Sequence, residues 1–420
     1  MSPTFRALHN RNYRLYFAGS MVSNTGTWMM RIAQDWLVLA LGGGAGALGI
    51  VTGLQFLPVL MVMPYAGSLA DRFPKRRMLQ WTQAAMAVIS LVLGVVALSG
   101  HAQVWMVCVL AFGFGIAAAF DVPARQSFVS EMVGPDDLTN AVGLNSASFN
   151  SARLIGPALA GLVIGALGSG PQATGVVMLL NAASYAMVIY ALQRMNPALL
   201  LPSRPVPRQA GMVRAGFAYV RTQPKMVLIL VIVFFAGTFG VNFQITSALM
   251  ATEVYGKGAG EFGLLGSVVA VGSLTGALLA ARRSSTRLRL LFLAAAGFGL
   301  TVMLAGLMPT FVAFALISPV IGIAMMTMMN AANTLIQLES DPQFRGRALA
   351  IYMMVMQGGT PLGAPITGWI AAVWGPRVSM VIGGGLSLLG VVLAVGLLLW
   401  FRRRPAGSVE PVVASAATLV

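Results

Sequence analysis

The sequence predicts an all-α membrane protein in which twelve transmembrane helices form two six-helix halves, and three observations predict it. Of 420 residues, 57% are hydrophobic and only 9% are charged, where an ordinary soluble chain carries roughly 25% charged residues. The apolar residues fall into about twelve blocks, and about 20 apolar residues suffice to cross a bilayer as a helix. The 48 glycines fit the same reading, because membrane helices use small residues to bring their backbones close.

The elements follow in chain order. The basic start MSPTFRALHNRNYRLYF resembles the first region of a signal peptide. The apolar run after it is too long for one and is joined by many more, so an uncleaved span near 15–41 is expected. An uncharged turn, GGGAG at 42–46, leads to a span near 47–70, and a basic loop leads to one near 78–99. The span near 104–124 holds the single cysteine, Cys108, which can form no intrachain disulfide and reads as a small core residue. Spans near 138–167 and 174–192 are joined by GSGPQ at 168–172. The segment 193–225 contains NPALLLPSRPVPRQAG, with the Pro and Arg content of a flexible linker. Six further spans follow near 226–250, 261–281, 288–307, 310–338, 347–373 and 377–400. The expected division is therefore a first bundle at 1–192, a cytoplasmic linker at 193–225, a second bundle at 226–400 and a cytoplasmic tail at 401–420.

The halves echo one another. Glu131 and Pro157 recur as Glu339 and Pro365, each pair 208 residues apart, which a parallel repeat explains. Two repeated bundles suggest alternating access to a site between them.

The net charge of +16 belongs to a nucleic-acid binder only if it covers one face or domain. Here it marks mostly alternate gaps between apolar blocks. Lys257 and Arg377 fall on one side, Arg31 and Arg153 fall inside spans, and the remaining Lys and Arg fall on the other side. The positive-inside rule places that side, and both termini, in the cytoplasm. With only His9 and His101, and no HExxH, GxSxG or Walker loop, hydrolysis, zinc chemistry and ATP-driven transport lack their usual equipment. No enzyme, cofactor, metal site or nucleic-acid partner is expected.

Charges inside spans carry the most information. Arg31 and Asp35 stand i,i+4 on one helix face, where opposite charges can meet. Either would cost about 2.5–3.5 kcal/mol if left facing lipid at the bilayer centre, so both face protein or a wet cavity. Arg153, four residues before Pro157, also needs an acceptor, and Asp35 is the nearest acidic candidate in the same bundle.

The loop GSLADRFPKRRML, Gly67 to Leu79, resembles the signature loop of the major facilitator superfamily: Gly67, Leu69, Asp71, Arg72 and Arg76 match, and Pro74 replaces a glycine. The stretches AQDWLVL, DVPARQSFV, ARLIGPALAG and FRGRALAIYMMVMQGGTPLG are similar to the bacterial branch that includes drug exporters and the enterobactin exporter. The resemblance implies the major facilitator fold, residence in the bacterial cytoplasmic membrane, a functional monomer and proton-driven antiport. It implies export of a hydrophobic or amphipathic drug or siderophore, with protons and membrane lipids as the other partners. A lysophospholipid transporter, an uptake carrier and a structural membrane protein remain open alternatives.

The resemblance also assigns roles. Gly67, Asp71, Arg72, Arg76, Asp121, Arg125, Arg345 and Arg347 would form a cytoplasmic gate. Gly156, Pro157 and Gly161 partly match a helix-five exporter motif. Helix one would line the central cavity, where Asp35, with Arg31 and Arg153, would exchange a proton, form an internal salt bridge or touch the cargo directly. Asn24, Trp28, Gln34, Gln55, Phe56, Phe149, Asn242, Asn330 and Gln357 are the cavity candidates, with interhelical packing as the competing role for each.

Overall fold

The computed structural model describes residues 3–70, 73–201, 212–283, 286–341 and 343–403. Asn10 accepts a hydrogen bond from Tyr13 N and so starts α1 (Arg11–Ala40), ahead of the expected first span. Gly42 (φ +75°) and Gly44 (φ +62°) occupy the left-handed region that favours glycine, and the chain reverses there into α2 (Gly44–Ala70). Then come α3 (Lys75–Leu98), α4 (Val104–Met132), α5 (Pro135–Ala166) and α6 (Pro171–Arg194). The fourth helix runs through Pro123 and past the expected end at 124. Its extension buries Phe128, Val129 and Met132 in a cluster with Tyr13, Tyr16 and Leu79, which offsets the hydrogen bond that Pro123 cannot make.

The expected flexible linker is in part a helix. Within it lies α7 (Met212–Thr222), held by Tyr219, which stacks on Phe344 with ring centroids 4.4 Å apart. The Tyr219 hydroxyl also accepts a hydrogen bond from Asp341 N at 2.9 Å. The next apolar run, Pro224–Val254, is one span in length but not one regular helix. It consists of α8 (Pro224–Phe235), a π turn at Ala236–Gly240, α9 (Phe243–Leu249) and a second π turn at Met250–Val254. The remaining helices are α10 (Ala259–Ala281), α11 (Leu288–Gly306), α12 (Phe311–Glu339), α13 (Arg345–Trp374) and α14 (Pro376–Arg403).

Among the described residues ten segments are long and apolar enough to cross a membrane, where the sequence predicts twelve. The two that fall short are α1 and α13, each 30 residues long. In α1 the cause is polarity directed inward, since it buries Asn12, Ser20, Ser23, Gln34 and Asp35 within the protein; α13 stays continuous but carries Gln357, Thr360, Pro361 and Pro365 in its middle. The protein is thus an all-α, multi-helix membrane protein.

Packing repeats with the sequence. Helix α1 lies on α5 and α6, α2 on α4, and α3 on α4 and α6. In the second half α8 lies on α14, α10 on α12, and α11 on α12 and α14. The most extensive contacts between these sets are α2 with α13 and α5 with α10, and α9 also touches α1 and α2. The two extensive crossings depend on glycine. A Cβ on Gly49 would stand 2.5 Å from Ala364 O, and one on Gly263 would stand 2.4 Å from Pro157 O. Both repeat-marking glutamates pair with a lysine, though on non-equivalent elements: Glu131 with Lys75 of α3 at 2.6 Å, nearly buried, and Glu339 with Lys225 of α8 at 2.8 Å, exposed.

A substitution tests how closely the helices approach. A Cβ on Gly272 of α10 would lie 1.9 Å from Pro319 O on α12, whereas one on Gly46 has nothing within 4 Å. Gly272→Ala is expected to cost about 1–3 kcal/mol by overpacking and to lower the thermal unfolding midpoint in detergent. Gly46→Ala is expected to leave the midpoint unchanged or slightly raised, and equal shifts for the two variants would contradict the packing described.

Candidate functional site

Helical periodicity brings Trp28, Arg31, Ile32 and Asp35 onto one stripe of α1. That stripe forms a wall of a cavity of about 220 Å³ between the two helix sets. Thr52, Gln55 and Phe56 of α2 and Arg153 and Pro157 of α5 complete the first side. The second side comes from Asn242, Gln244 and Ser247, from Phe262 and Gly266 of α10, from Ile321, Met325 and Met329 of α12, and from Thr360 of α13. The irregular seventh span places its polar residues here, between its two π turns. Such turns recur at functional sites.

Asp35, only 6% exposed, accepts a hydrogen bond at Oδ2 from Gln244 Nε2 at 2.7 Å. One bond therefore joins α1 to α9, across the boundary between the helix sets. Beside it, Gln34 donates to Gln55 Oε1 at 3.2 Å, tying α1 to α2. The expected meeting of Arg31 with Asp35 takes another form. The Arg31 guanidinium lies over Trp28, 4.9 Å from its centroid, and 5.3 Å from that of Phe56. Arg153 likewise approaches Trp28, at 5.6 Å, rather than Asp35. Their i,i+4 spacing permits the Arg31–Asp35 pair, but Gln244 holds the carboxylate from the opposite side and two aromatic faces hold the cation.

Of the other cavity candidates, Trp28, Gln55, Phe56 and Asn242 line the space. Asn24 instead donates to Ser148 Oγ at 3.4 Å, and Phe149 is exposed, its ring steeply inclined to that of Trp28 with centroids 5.8 Å apart. Asn330 and Gln357 are half-buried and are not among the lining residues. Of the helix-five residues, Pro157 lines the cavity, while a Cβ on Gly156 would stand 2.6 Å from Trp28 Cβ, so Gly156 lets α5 reach α1. A Cβ on Gly161 would stand 2.7 Å from Ala259 O, so that residue serves the α5–α10 crossing. Sequence reasoning missed Thr52, Ser247 and Phe262, because small hydroxyls and a phenylalanine in an apolar run carry no signal that separates lining from packing.

The residues assigned to a gate lie on separate elements: Arg76 on α3, Asp121 and Arg125 on α4, and Arg345 and Arg347 at the start of α13. Asp71 and Arg72 lie outside the described residues, and Gly67 falls in the last turns of α2. Arg76 donates to Leu192 O at 2.6 Å and Gln193 O at 3.1 Å, completing the carbonyl end of α6. Asp121 accepts from Thr82 Oγ1 at 2.8 Å and Gln83 Nε2 at 2.7 Å, and pairs with Arg125 at 2.9 Å. Arg345 donates to Gln337 O at 3.1 Å, and Arg347 lies over Phe344.

Long apolar helices enclosing a cavity lined by Arg31, Asp35 and Arg153 are the architecture of a membrane carrier. Residues 2–412 match the family described as transmembrane secretion effector; the chain belongs to that family, within the major facilitator superfamily, whose members are carriers and not catalysts. The staphyloferrin A transporter of Staphylococcus aureus is 30% identical over 36% of this chain, a match that spans only 38% of that relative. Macrolide efflux protein A of Streptococcus pyogenes is 22% identical over 84% of this chain and 88% of its own length. Among solved structures, a bacterial homolog of the human lysosomal transporter Spinster, inward-facing and occupied, superposes with a TM-score of 0.71 at 15% identity, covering 97% of this chain and all of that one. The protein is a multi-pass membrane protein and a secondary active transporter of small molecules.

The α3–α4 network makes a graded prediction. Asp121→Ala leaves the largely buried Arg125 without its carboxylate, which is expected to cost about 3–5 kcal/mol. Thr82→Val removes one hydrogen bond, worth about 1 kcal/mol. Thermal unfolding in detergent is expected to rank Asp121→Ala well below Thr82→Val, with Asp121→Leu/Arg125→Met recovering much of the loss; the reverse order would rule out the pairing as the stabilising contact.

Proposed function

We propose that this protein is a proton-coupled exporter of hydrophobic or amphipathic small molecules, of the drug and siderophore branch that includes the enterobactin exporter. In this reading its twelve helices form two bundles, 1–192 and 226–400, that rock about the cavity. The 193–225 linker, the 401–420 tail and both termini lie on the cytoplasmic side of the bacterial inner membrane, and the monomer is the working unit. Asp71, Arg72 and Arg76, with Asp121, Arg125, Arg345 and Arg347, act at the cytoplasmic mouth.

The observation that carries the reading is the Asp35–Gln244 hydrogen bond across the cavity. A hydrogen bond to an ionised group is worth about 1.5–3 kcal/mol, and one between neutral groups about 0.5–1.5 kcal/mol. A proton arriving at Asp35 therefore changes the tie between the bundles by about 1–2 kcal/mol, and a ligand shifts a conformational equilibrium only through such a difference. The relatives support the reading by their own descriptions, one as a staphyloferrin A transporter and one as a macrolide efflux protein.

The test is transport in reconstituted vesicles under an imposed proton gradient, with a panel of lipophilic cations, macrolides and siderophores. The native chain is expected to move at least one compound uphill. Asp35→Asn is expected to lose the response to the gradient while still exchanging that compound without one. An unchanged response in Asp35→Asn would remove this carboxylate from coupling. A native chain inert to the panel but active on lysophospholipids would make it a lipid carrier instead.

A further inference from the structure

The charges facing the cavity do not balance. Two guanidinium groups, Arg31 and Arg153, line it against one carboxylate, Asp35, and the carboxylate is already engaged by Gln244. Among the described residues neither guanidinium makes a hydrogen bond or an ion pair, and both lie against the same indole, Trp28. A guanidinium offers five donors in a planar fork suited to carboxylate, phosphate or sulfonate oxygens. Two of them, part-buried and facing a shared space, repel each other, and the attraction of the single Asp35 for Arg31 offsets only one of the two charges. The rest of the lining is apolar or neutral, with Phe56, Phe262, Ile321 and Met325 around the charged stripe.

We propose that the cavity binds an anionic amphiphile, its acidic headgroup held between Arg31 and Arg153 and its apolar body lying against Trp28, Phe56 and Phe262. This rests on the cavity being the cargo site, as the exporter reading holds, but not on the direction of transport or on proton coupling. It separates the cargo from the lipophilic cations that an aromatic-lined cavity would otherwise suit, because two cations already occupy the aromatic faces. Asp35 sets the sign of a second effect. Ionised, it is the one like charge that the headgroup meets, so removing its charge should strengthen binding of the anion.

The experiment is equilibrium binding to the full-length protein in phosphatidylcholine nanodiscs without any gradient, with empty nanodiscs subtracted. The dyes are 8-anilinonaphthalene-1-sulfonate and N-phenyl-1-naphthylamine, which share one apolar body and differ in the sulfonate. The native chain is expected to bind the sulfonate about tenfold or more tighter than the neutral dye, as one charge-assisted contact allows. Arg31→Gln/Arg153→Gln is expected to erase that preference while leaving the neutral dye within about twofold. Arg31→Lys/Arg153→Lys should keep part of the preference, and Asp35→Asn should enlarge it.

Equal binding of the two dyes by the native chain, no binding of the sulfonate, or parallel loss of both dyes in the Gln variant with monodispersity intact would overturn the proposal. Adding phosphatidylglycerol to the nanodiscs separates two sources of the same chemistry: competition with the sulfonate identifies a lipid headgroup, and its absence a dissolved amphiphile. Because no gradient is imposed, a failure of proton-driven export leaves this result standing, and the reverse also holds.

Discussion

A polar group inside the hydrocarbon layer has no water to turn to, so every such group must find its partner within the protein or a wet cavity. That constraint arranges the whole molecule. It draws Asn12, Gln34 and Asp35 of α1 inward, and it leaves leucine, valine and tryptophan on the outer faces of helices such as α3, α11 and α14. The helices that carry the polar groups, α1 above all, then become the inner ones and the natural walls of a cavity. Asp35 and Gln244 satisfy one another across that cavity, and Asp121, Thr82, Gln83 and Arg125 do the same between α3 and α4.

Close packing supplies what hydrophobicity cannot, since lipid tails are as apolar as leucine and do not drive helices together. Backbones meet at Gly49 with Ala364 and at Gly161 with Gly263, so the two helix sets touch through small residues and dispersion contacts. These crossings join the first half of α2 to the last part of α13, and the last part of α5 to the start of α10. Among the described residues these close contacts contain no ion pair. The π turns of the seventh span fit the same logic. Gly363 approaches so near that a Cβ there would stand 1.6 Å from Thr238 O, and the widened turn at Ala236–Gly240 lies at that contact.

Most of the helices could be read from the sequence because an apolar block of span length has few other fates, and the inward charges could be read because an Arg or Asp within such a block is costly unless it has work to do. What tertiary structure decides was hidden. The i,i+4 spacing of Arg31 and Asp35 gave a possible pair, yet Gln244, 209 residues further on, holds the carboxylate instead. Lys75 and Glu131 had meaning as a topology marker and a repeat marker, and only folding brings them to 2.6 Å. Pro and Arg content suggested a flexible linker, while Tyr219 finds Phe344 and orders a helix there. Thr52 and Phe262 show the same limit inside the cavity, because lining and packing use the same residue types.

Net charge in the cavity also bears on how a carrier with this lining would reset. With Asp35 ionised, Arg31 and Arg153 leave an empty cavity with one positive charge in excess, and a bound monoanion cancels it. The loaded form then crosses the field with little net charge, whereas the empty form returns as a cation. A potential of 100 mV, negative inside, acts on one elementary charge with about 2.3 kcal/mol, and it pulls the empty, positive form towards the cytoplasm. A proton on Asp35 adds a second positive charge to that return and loosens the bond to Gln244, so proton entry and the inward reset reinforce each other. The form that wastes the gradient is the one holding both proton and anion, which would carry them the same way. For an exporter with this cavity, coupling would therefore depend on the anion leaving before Asp35 takes its proton, because a neutral Asp35 would hold the anion more tightly and favour the form that carries both.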